Sequence, residues 1–395
     1  MTTAVIVDAV RTPGGKRNGK LSGWHPADLA AEVLNALVQR NDLDPALVDD
    51  VIMGCVMQVG NQGLNIGRNA VLAAGWPESV PSTTVDRQCG SSQQAAHFAA
   101  QGVIAGAYDI AVAAGIEVMS TTPMGASITP GSFPFGPKVI ERYAPVGGLV
   151  GQGIGAEMIA DEWNLTREDL DQFALKSQNN AARARDEGRF DNEIIPVKAM
   201  PRDKETGNLI ESDEIVSADE GIRESSMESL GKLKPAFKED GKVTAGNSSQ
   251  ITDGASAALI MSEEKANELG LTPKARFHTF AVAGVDPITM LKGPIPATQK
   301  VLERSGLSVE DIDLFEINEA FASVVLAWHA ELKADPDKVN VNGGAIALGH
   351  PLGCSGAKLL ATLVNELERT GGRYGLQAMC EGGGMANATI IERLG

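Results

Sequence analysis

Short apolar runs alternate along this chain with stretches whose apolar residues recur every three or four positions. Residues 4–10 form an apolar run short enough for a buried strand, while residues 25–39 place Leu29, Val33, Leu34, Leu37 and Val38 at helical spacing. Residues 51–57, 83–85 and 109–119 read as further strands, and 90–107 as an Ala-rich helix. The alternation returns late in the chain. It predicts a strand at 255–261, a short helix capped by Ser262, a strand at 275–285, a helix at 296–305 and a strand at 312–317. Helices at 320–333 and 355–369 and strands near 375–380 and 387–393 complete it. Strands separated by helices predict a mostly parallel sheet with helices on both faces.

The middle has a different texture. Residues 121–149 are rich in Gly, Pro and Ser and read as extended loop, and residues 203–228 are dense in acidic side chains and read as solvated. Between them Thr166 and Asp169 have the spacing of a capping box that opens a helix running toward Gly188. We therefore expect an inserted, loop-rich unit at 120–251. It divides one half (1–119 plus 252–273) from the other (274–395). The outer parts share a pattern. Cys89-Gly90-Ser91 precedes an Ala-rich helix and then the strand at 109–119; residues 349–356 precede the helix at 355–369 and then the strand near Cys380. That pattern predicts a duplicated α/β unit.

Composition narrows the function. The 395 residues suit two or three domain-sized units. Aromatic residues are only 4%, so Ala, Val, Ile, Leu and Met must fill the core. A net charge of −17 argues against a nucleic-acid backbone as partner, since that needs clustered cations. A single nucleotide cofactor needs only a few. No apolar run approaches the roughly 18 residues of a membrane span, and the start of the chain lacks the pattern of an export signal. The four cysteines, Cys55, Cys89, Cys354 and Cys380, form no Cys-x-x-Cys pair, so free thiols in a reducing cytoplasm are expected. No Cys or His pair has zinc-site spacing, so no metal is expected.

Four places carry candidate chemistry. Cys89 stands where a helix is about to start, a position that favours a thiolate; the alternative is a buried structural thiol. His350 lies in a glycine-rich loop ahead of Pro351, whereas His25, His97, His278 and His329 read as ordinary helix or strand residues. Cys380 precedes Gly382-Gly383-Gly384, which serve either as a tight turn or as backbone N–H groups aimed at a carbonyl oxygen. Asn318 ends a strand, where parallel-sheet enzymes place working groups. It reads equally as a helix cap, and Glu319 as a carboxylate favouring the following helix.

Taken together, Cys89-Gly90-Ser91, Asn318-Glu319-Ala320-Phe321, Gly349-His350-Pro351 and Cys380-Glu381-Gly382 resemble the four active-site loops of thiolases, in the same order. The resemblance extends to Arg11-Thr12-Pro13, Glu117-Val118-Met119-Ser120, Leu233-Lys234-Pro235-Ala236-Phe237 and residues 244–249. It implies a duplicated thiolase fold layered α-β-α-β-α with an inserted loop domain, assembled as a homotetramer through residues 121–149. It implies that Cys89 is acylated, His350 takes its proton, and Cys380 is the second acid/base. Asn318 holds a water that, with His350, stabilises an enolate oxygen; Gly382 and Cys89 contribute backbone N–H groups to a second oxyanion hole. Coenzyme A and acyl-CoA enter as substrates, with no permanently bound cofactor. Arg223, Ser249, Phe237, Met290, Ala320 and Phe321 resemble contacts to CoA and the acyl group, though each also has an ordinary structural reading.

Two positions depart from the pattern. Gly151-Gln152 stand where short-chain biosynthetic members carry His-Met, which points to a roomier acyl pocket. Glu381 stands where a small or aliphatic residue is common; it either raises the thiol pKa nearby or faces away from it. Two rival readings remain at this stage. A thiolase-like condensing synthase typically lacks the second catalytic cysteine, and a non-catalytic acyl-CoA or lipid carrier usually loses one or more of the loops.

Overall fold

The chain opens on eight consecutive buried residues that can be shielded only inside a sheet covered on both faces, and they form β1 (Ala4–Arg11). The computed structural model describes residues 2–203 and 205–395. The short β2 (Gly15–Lys16) is followed by α1 (Pro26–Arg40), whose first turn is capped by the His25 ring accepting from the Ala27 N–H. Next come β3 (Asp50–Gly54), α2 (Ile66–Ala73), β4 (Ser82–Val85), α3 (Ser91–Ile104) and β5 (Ile110–Val118). The middle contributes α4 (Pro137–Tyr143), α5 (Gln152–Glu162), α6 (Arg167–Asp186), the paired β6 (Val197–Lys198) and β7 (Ile215–Val216), and α7 (Met227–Gly231). β8 (Thr252–Ser262), α8 (Glu263–Glu268), β9 (Ala275–Gly284), α9 (Pro294–Ser305), β10 (Leu314–Ile317) and α10 (Ala322–Leu332) follow. The chain ends with α11 (Ala345–Leu348), α12 (Ser355–Thr370), β11 (Tyr374–Glu381) and β12 (Met385–Arg393).

The main sheet runs β10-β11-β12-β9-β1-β8-β5-β3-β4. Its two halves repeat one plan. In the first, β8 lies between β1 and β5, antiparallel to both, and β3 continues parallel to β5. In the second, β12 lies between β9 and β11, antiparallel to both, and β10 continues parallel to β11. Even the outermost strand has a trace in the second half: β4 pairs parallel with β3, and Val339 makes a single parallel bridge to Phe315 on β10. The halves join where Val5 and Ile6 of β1 meet Arg276 and Ala275 of β9.

Helices α3 and α12 lie between the two halves. Ala95, Ala96, Ala99 and Ala100 of α3 share a core with Leu360, Ala361, Leu363 and Val364 of α12, and with strand residues of both halves, including Ile260, Leu314 and Ile391. Small side chains let the helices approach closely; a Cβ on Gly356 would collide with the backbone of Gln93. The opposite face of the first half is covered by α1 and α2, and that of the second by α9 and α10. The result is the α-β-α-β-α layering.

Several expectations change. The sheet is mixed rather than mostly parallel: only β3–β4, β3–β5 and β10–β11 pair in parallel among the described residues. The strand expected at 51–57 stops at Gly54, because the chain then turns to deliver its backbone N–H groups to a carboxylate. The stretch 121–149 contains α4 and a 3₁₀ turn, not loop alone. The acidic stretch 203–228 is largely exposed, but Asp219 is buried and pairs with the Arg11 guanidinium at 2.8 Å, while Glu193 takes the same guanidinium at 2.6 Å. These contacts tie the middle of the chain to β1 through one fully buried cation. Removing either carboxylate would leave that charge underpaired.

Candidate active site

β4 ends in a sharp turn. Gln88 adopts φ 49°, the Gly90 N–H donates to the Arg87 carbonyl at 3.1 Å, and the Ser91 N–H donates to the Gln88 carbonyl at 3.0 Å. The turn sets Cys89 just ahead of α3, whose cap residue is Gly90. A Cβ on Gly54 would collide with the Ser91–Ser92 backbone, so this glycine lets the Cys89 turn settle onto β3. The Gly382 N–H lies where it favours the Cys89 thiolate. Burial nevertheless pushes the thiol up to about 12, with Glu381 adding to the rise. The helix start therefore does not make Cys89 a resting thiolate, as its position in the sequence had led us to expect; loss of solvation outweighs it.

His350 is buried in the loop between α11 and α12. Its backbone N–H donates to the Gln250 carbonyl at 3.0 Å, and the loop carbonyls of Leu348 and Gly349 accept from the buried Lys358 ammonium at 2.6 and 3.2 Å. The ring Nδ1 lies 2.5 Å from Ser355 Oγ, and that hydroxyl donates its hydrogen to the Pro351 carbonyl at 2.8 Å. Ser355 must then accept from Nδ1–H, which leaves Nε2 unprotonated and able to accept from the Asn318 amide N–H. Nε2 faces the Asn318 amide nitrogen at 3.4 Å. Burial, and then the nearby Lys358 charge, lower the imidazole pKa to about 3, so the ring is neutral at physiological pH.

Asn318 follows β10 directly; its N–H donates to the Ala378 carbonyl at 3.0 Å, and its buried Oδ1 makes no hydrogen bond within the protein. It does not cap α10, whose cap residue is Phe321. Glu319 does not serve that helix either. It accepts from Ser177 Oγ at 2.6 Å, Asn340 Nδ2 at 2.9 Å and the Ile346 N–H at 3.1 Å, which clamps the asparagine loop to the segment leading to His350. Cys380 is fully buried on β11, and burial, the neighbouring Cys89 and Glu381 all push its thiol upward. Gly382–Gly384 form the turn between β11 and β12, with Gly383 and Gly384 at positive φ. The turn reading therefore holds. All four cysteines are free; Cys55 and Cys354 are buried beside Glu117 and Ser256 respectively. Two of the other histidines are structural: His97 meets Thr389 Oγ1 at 2.7 Å and His25 caps α1.

A cavity of about 610 Å³ opens onto His350. Lys16, Arg17 and Arg223 line it and are exposed, apolar walls come from Met119, Ile251, Ala320, Phe321 and Phe237, and His350 and Leu352 also line it. Phe237 and Phe321 meet edge to face at 5.9 Å. Met119 and Leu352 pack against Cys89; Ala320 and Phe321 share a cluster with Cys380. Ser249 lies on the lining, held by its N–H donating to the Ala320 carbonyl at 2.9 Å. Met290 does not line the cavity; it is packed in the cluster that holds Cys380. Sequence reasoning missed the Lys16-Arg17 pair, whose only signal was two adjacent cations after β1. Gln152 also lines the cavity, with its amide nitrogen 3.0 Å from the position a Cβ on Gly382 would take.

Two buried thiols and a neutral imidazole behind a cation-rimmed apolar passage are suited to acyl transfer through a thioester. Comparison with known proteins agrees. Family models described as the thiolase N-terminal and C-terminal domains match residues 4–264 and 271–393, and the chain belongs to the thiolase family. It is 51% identical to the steroid 3-ketoacyl-CoA thiolase FadA6 of Mycobacterium tuberculosis, across 100% of this chain and 95% of that one. It is 44% identical to the 3-ketoacyl-CoA thiolase of Bacillus subtilis, across 99% and 100%. The crystal structure of the Bacillus anthracis acetyl-CoA acetyltransferase superposes with a TM-score of 0.89 at 40% identity, covering 100% of this chain and 99% of that one.

Proposed function

We propose that the protein catalyses reversible thiolysis of a 3-oxoacyl-CoA by coenzyme A, releasing acetyl-CoA and a shortened acyl-CoA. The observation that carries this reading is the buried Cys89 thiol packed in one cluster with Leu352 of the histidine loop, together with a neutral His350 whose Nε2 is unprotonated. His350 takes the Cys89 proton as the sulfur attacks the 3-oxo carbon. The oxyanion forms against the N–H groups of Cys89 and Gly382. The C2–C3 bond then breaks, and its electrons leave as the enolate of acetyl-CoA, held by His350 and an Asn318-bound water. Cys380 protonates that carbanion and becomes the base that deprotonates incoming CoA. The CoA sulfur attacks the acyl-Cys89 thioester and frees Cys89. The reverse sequence is a Claisen condensation. No metal or permanently bound cofactor takes part.

The exposed cations Lys16, Arg17 and Arg223 suit the phosphates of CoA despite the net charge of −17, and the apolar walls suit pantetheine and the acyl chain. Ser249, Phe237, Ala320 and Phe321 are the contacts we assign there. Met290 acts from behind, through packing against the Cys380 cluster. We assign the catalytic halves to 1–119 plus 252–273 and to 274–395, with 120–251 as the inserted unit. The exposed Ile128, Phe133, Phe135, Ile140 and Val146 around α4, together with the unpaired edge of β4, support a homotetramer built from dimers. No helix among the described residues is long and apolar enough to cross a membrane, and we place the enzyme in the cytoplasm. The test is CoA-dependent loss of 3-oxoacyl-CoA, from acetoacetyl to long and bulky acyl groups, with Cys89→Ala as control. Activity that disappears in the control supports the reading; CoA binding without turnover on any member of the series overturns it.

A further inference from the structure

Glu381 ends β11 with its side chain fully buried, and neither carboxylate oxygen has a hydrogen-bond partner. An ionised carboxylate in that state is strongly disfavoured. The side chain does not face away from the site: a Cβ on Gly90 would collide with Glu381 Oε1, which places the carboxyl against the residue that follows Cys89. Asn387 of β12 crowds the same face of Gly90. Its Nδ2 donates to the Gly90 carbonyl at 3.0 Å, and its Oδ1 is also without a partner. Orphan acceptors gathered at one point call for a proton, which a neutral carboxylic acid carries.

We propose that Glu381 is a pH-dependent restraint on the two thiols: protonated, it permits Cys89 and Cys380 to ionise during the reaction, and ionised, it holds both protonated. This rests on the roles proposed above for the two cysteines. The charged and titratable groups around Glu381 come from each neighbouring element. The segment after β4 contributes Arg87, which favours the carboxylate, and Asp86, which opposes it. Cys89 comes from the segment before α3, Cys380 from β11 itself, and β12 offers only the neutral Asn387. Arg87 does not neutralise the carboxyl by pairing with it; its buried Nε is itself without a partner. Burial dominates and pushes Glu381 up to about 8, so the restraint engages at mildly alkaline pH. Glu381 touches no reacting atom in this scheme and is a positioning residue for charge.

The test follows two rates on either side of pH 8 in the wild type and in Glu381→Gln: kcat/KM for thiolysis, and alkylation of Cys89 by iodoacetamide. Cys89→Ala identifies the labelled site. We expect both wild-type rates to bend downward as Glu381 ionises. Both rates in Glu381→Gln should keep rising, to roughly tenfold above wild type, as a thiol made tenfold less acidic by the carboxylate requires. Superimposable profiles overturn the proposal, as does a pH-independent loss of both rates in the variant. A wild-type alkylation rate that climbs without a bend overturns it whether or not the variant folds. If thiolysis is absent while the alkylation profiles still diverge, the catalytic reading fails and the restraint stands.

Discussion

Glu117 on β5 accepts a hydrogen bond from the Gly353 N–H at 2.9 Å, across 236 positions of chain. The same buried carboxylate accepts from the N–H groups of Val56 and Met57 at 2.9 and 3.1 Å and from Gln62 Nε2 at 2.7 Å. One side chain thereby joins the half that carries Cys89 to the loop that carries His350. Glu117→Ala strands the buried N–H groups of Val56 and Gly353, each costing about 1–3 kcal/mol unless water replaces the acceptor, and also frees the half-buried Met57 N–H, while Gln62 Nε2 keeps the Met57 carbonyl. We expect a loss of about 3 kcal/mol or more in denaturant unfolding, with activity falling as the histidine loop loosens.

Ser355 fixes the tautomer of His350 by accepting from Nδ1 while donating to the Pro351 carbonyl. Ser355→Ala removes that preference and lets the proton sit on Nε2, where it blocks uptake from Cys89. A kcat reduced roughly 10- to 100-fold with KM little changed is expected, within the usual contribution of a positioned base. An unchanged kcat would show that the serine is only a packing residue.

Cys380→Ala separates the enzyme reading from that of a condensing synthase. With Cys89 and His350 in place, alkylation of Cys89 should persist. Exchange of an acyl group onto CoA should fall by at least about 100-fold, because the proton carrier is gone. Exchange at wild-type rate would remove Cys380 from the mechanism.

The raised pKa of Glu381 also bears on stability. A carboxyl whose folded pKa lies above its unfolded value contributes most below the unfolded value, about 4.3, and loses that contribution as pH rises through about 8. Glu381→Gln should therefore match the wild type most closely near pH 5. By pH 8.5 it should exceed it by about 2–4 kcal/mol in unfolding free energy, since each tenfold difference in proton affinity is worth roughly 1.4 kcal/mol. A constant difference across that window would place the Glu381 pKa near its unfolded value.

Gln152 reaches the wall beside Gly382, where the chemistry of the acyl group is closest. Gln152→Ala should admit bulkier 3-oxoacyl groups, improving kcat/KM for them by roughly 10-fold, the scale of one or two methylenes in a pocket. Improvement confined to acetoacetyl-CoA would contradict a wall position.

Most elements were legible because a buried strand and an amphipathic helix leave different periods in the chain. The first strand, read at 4–10 and one residue longer in the fold, Ser262 as a cap, and the Thr166–Asp169 capping box are local features that the fold keeps. The direction of pairing was not legible. β8 is buried along its whole length, and a strand buried on both faces looks the same whether its neighbours run with it or against it. The duplicated plan was visible only faintly, as a cysteine or glycine loop before a helix in each half; the strand order makes it plain.

For the site, the sequence by itself determined the candidate thiols, histidine and glycine turns and the four loops that carry them, because these are residue types bound to local turns. Tertiary structure alone decided their state. Burial keeps Cys89 and His350 neutral, and Ser355 selects the ring nitrogen that carries the proton. Folding brings Glu381 onto Gly90, nearly three hundred positions away in the chain. Solvation and long-range contact are properties of the packed interior, and a one-dimensional pattern carries neither.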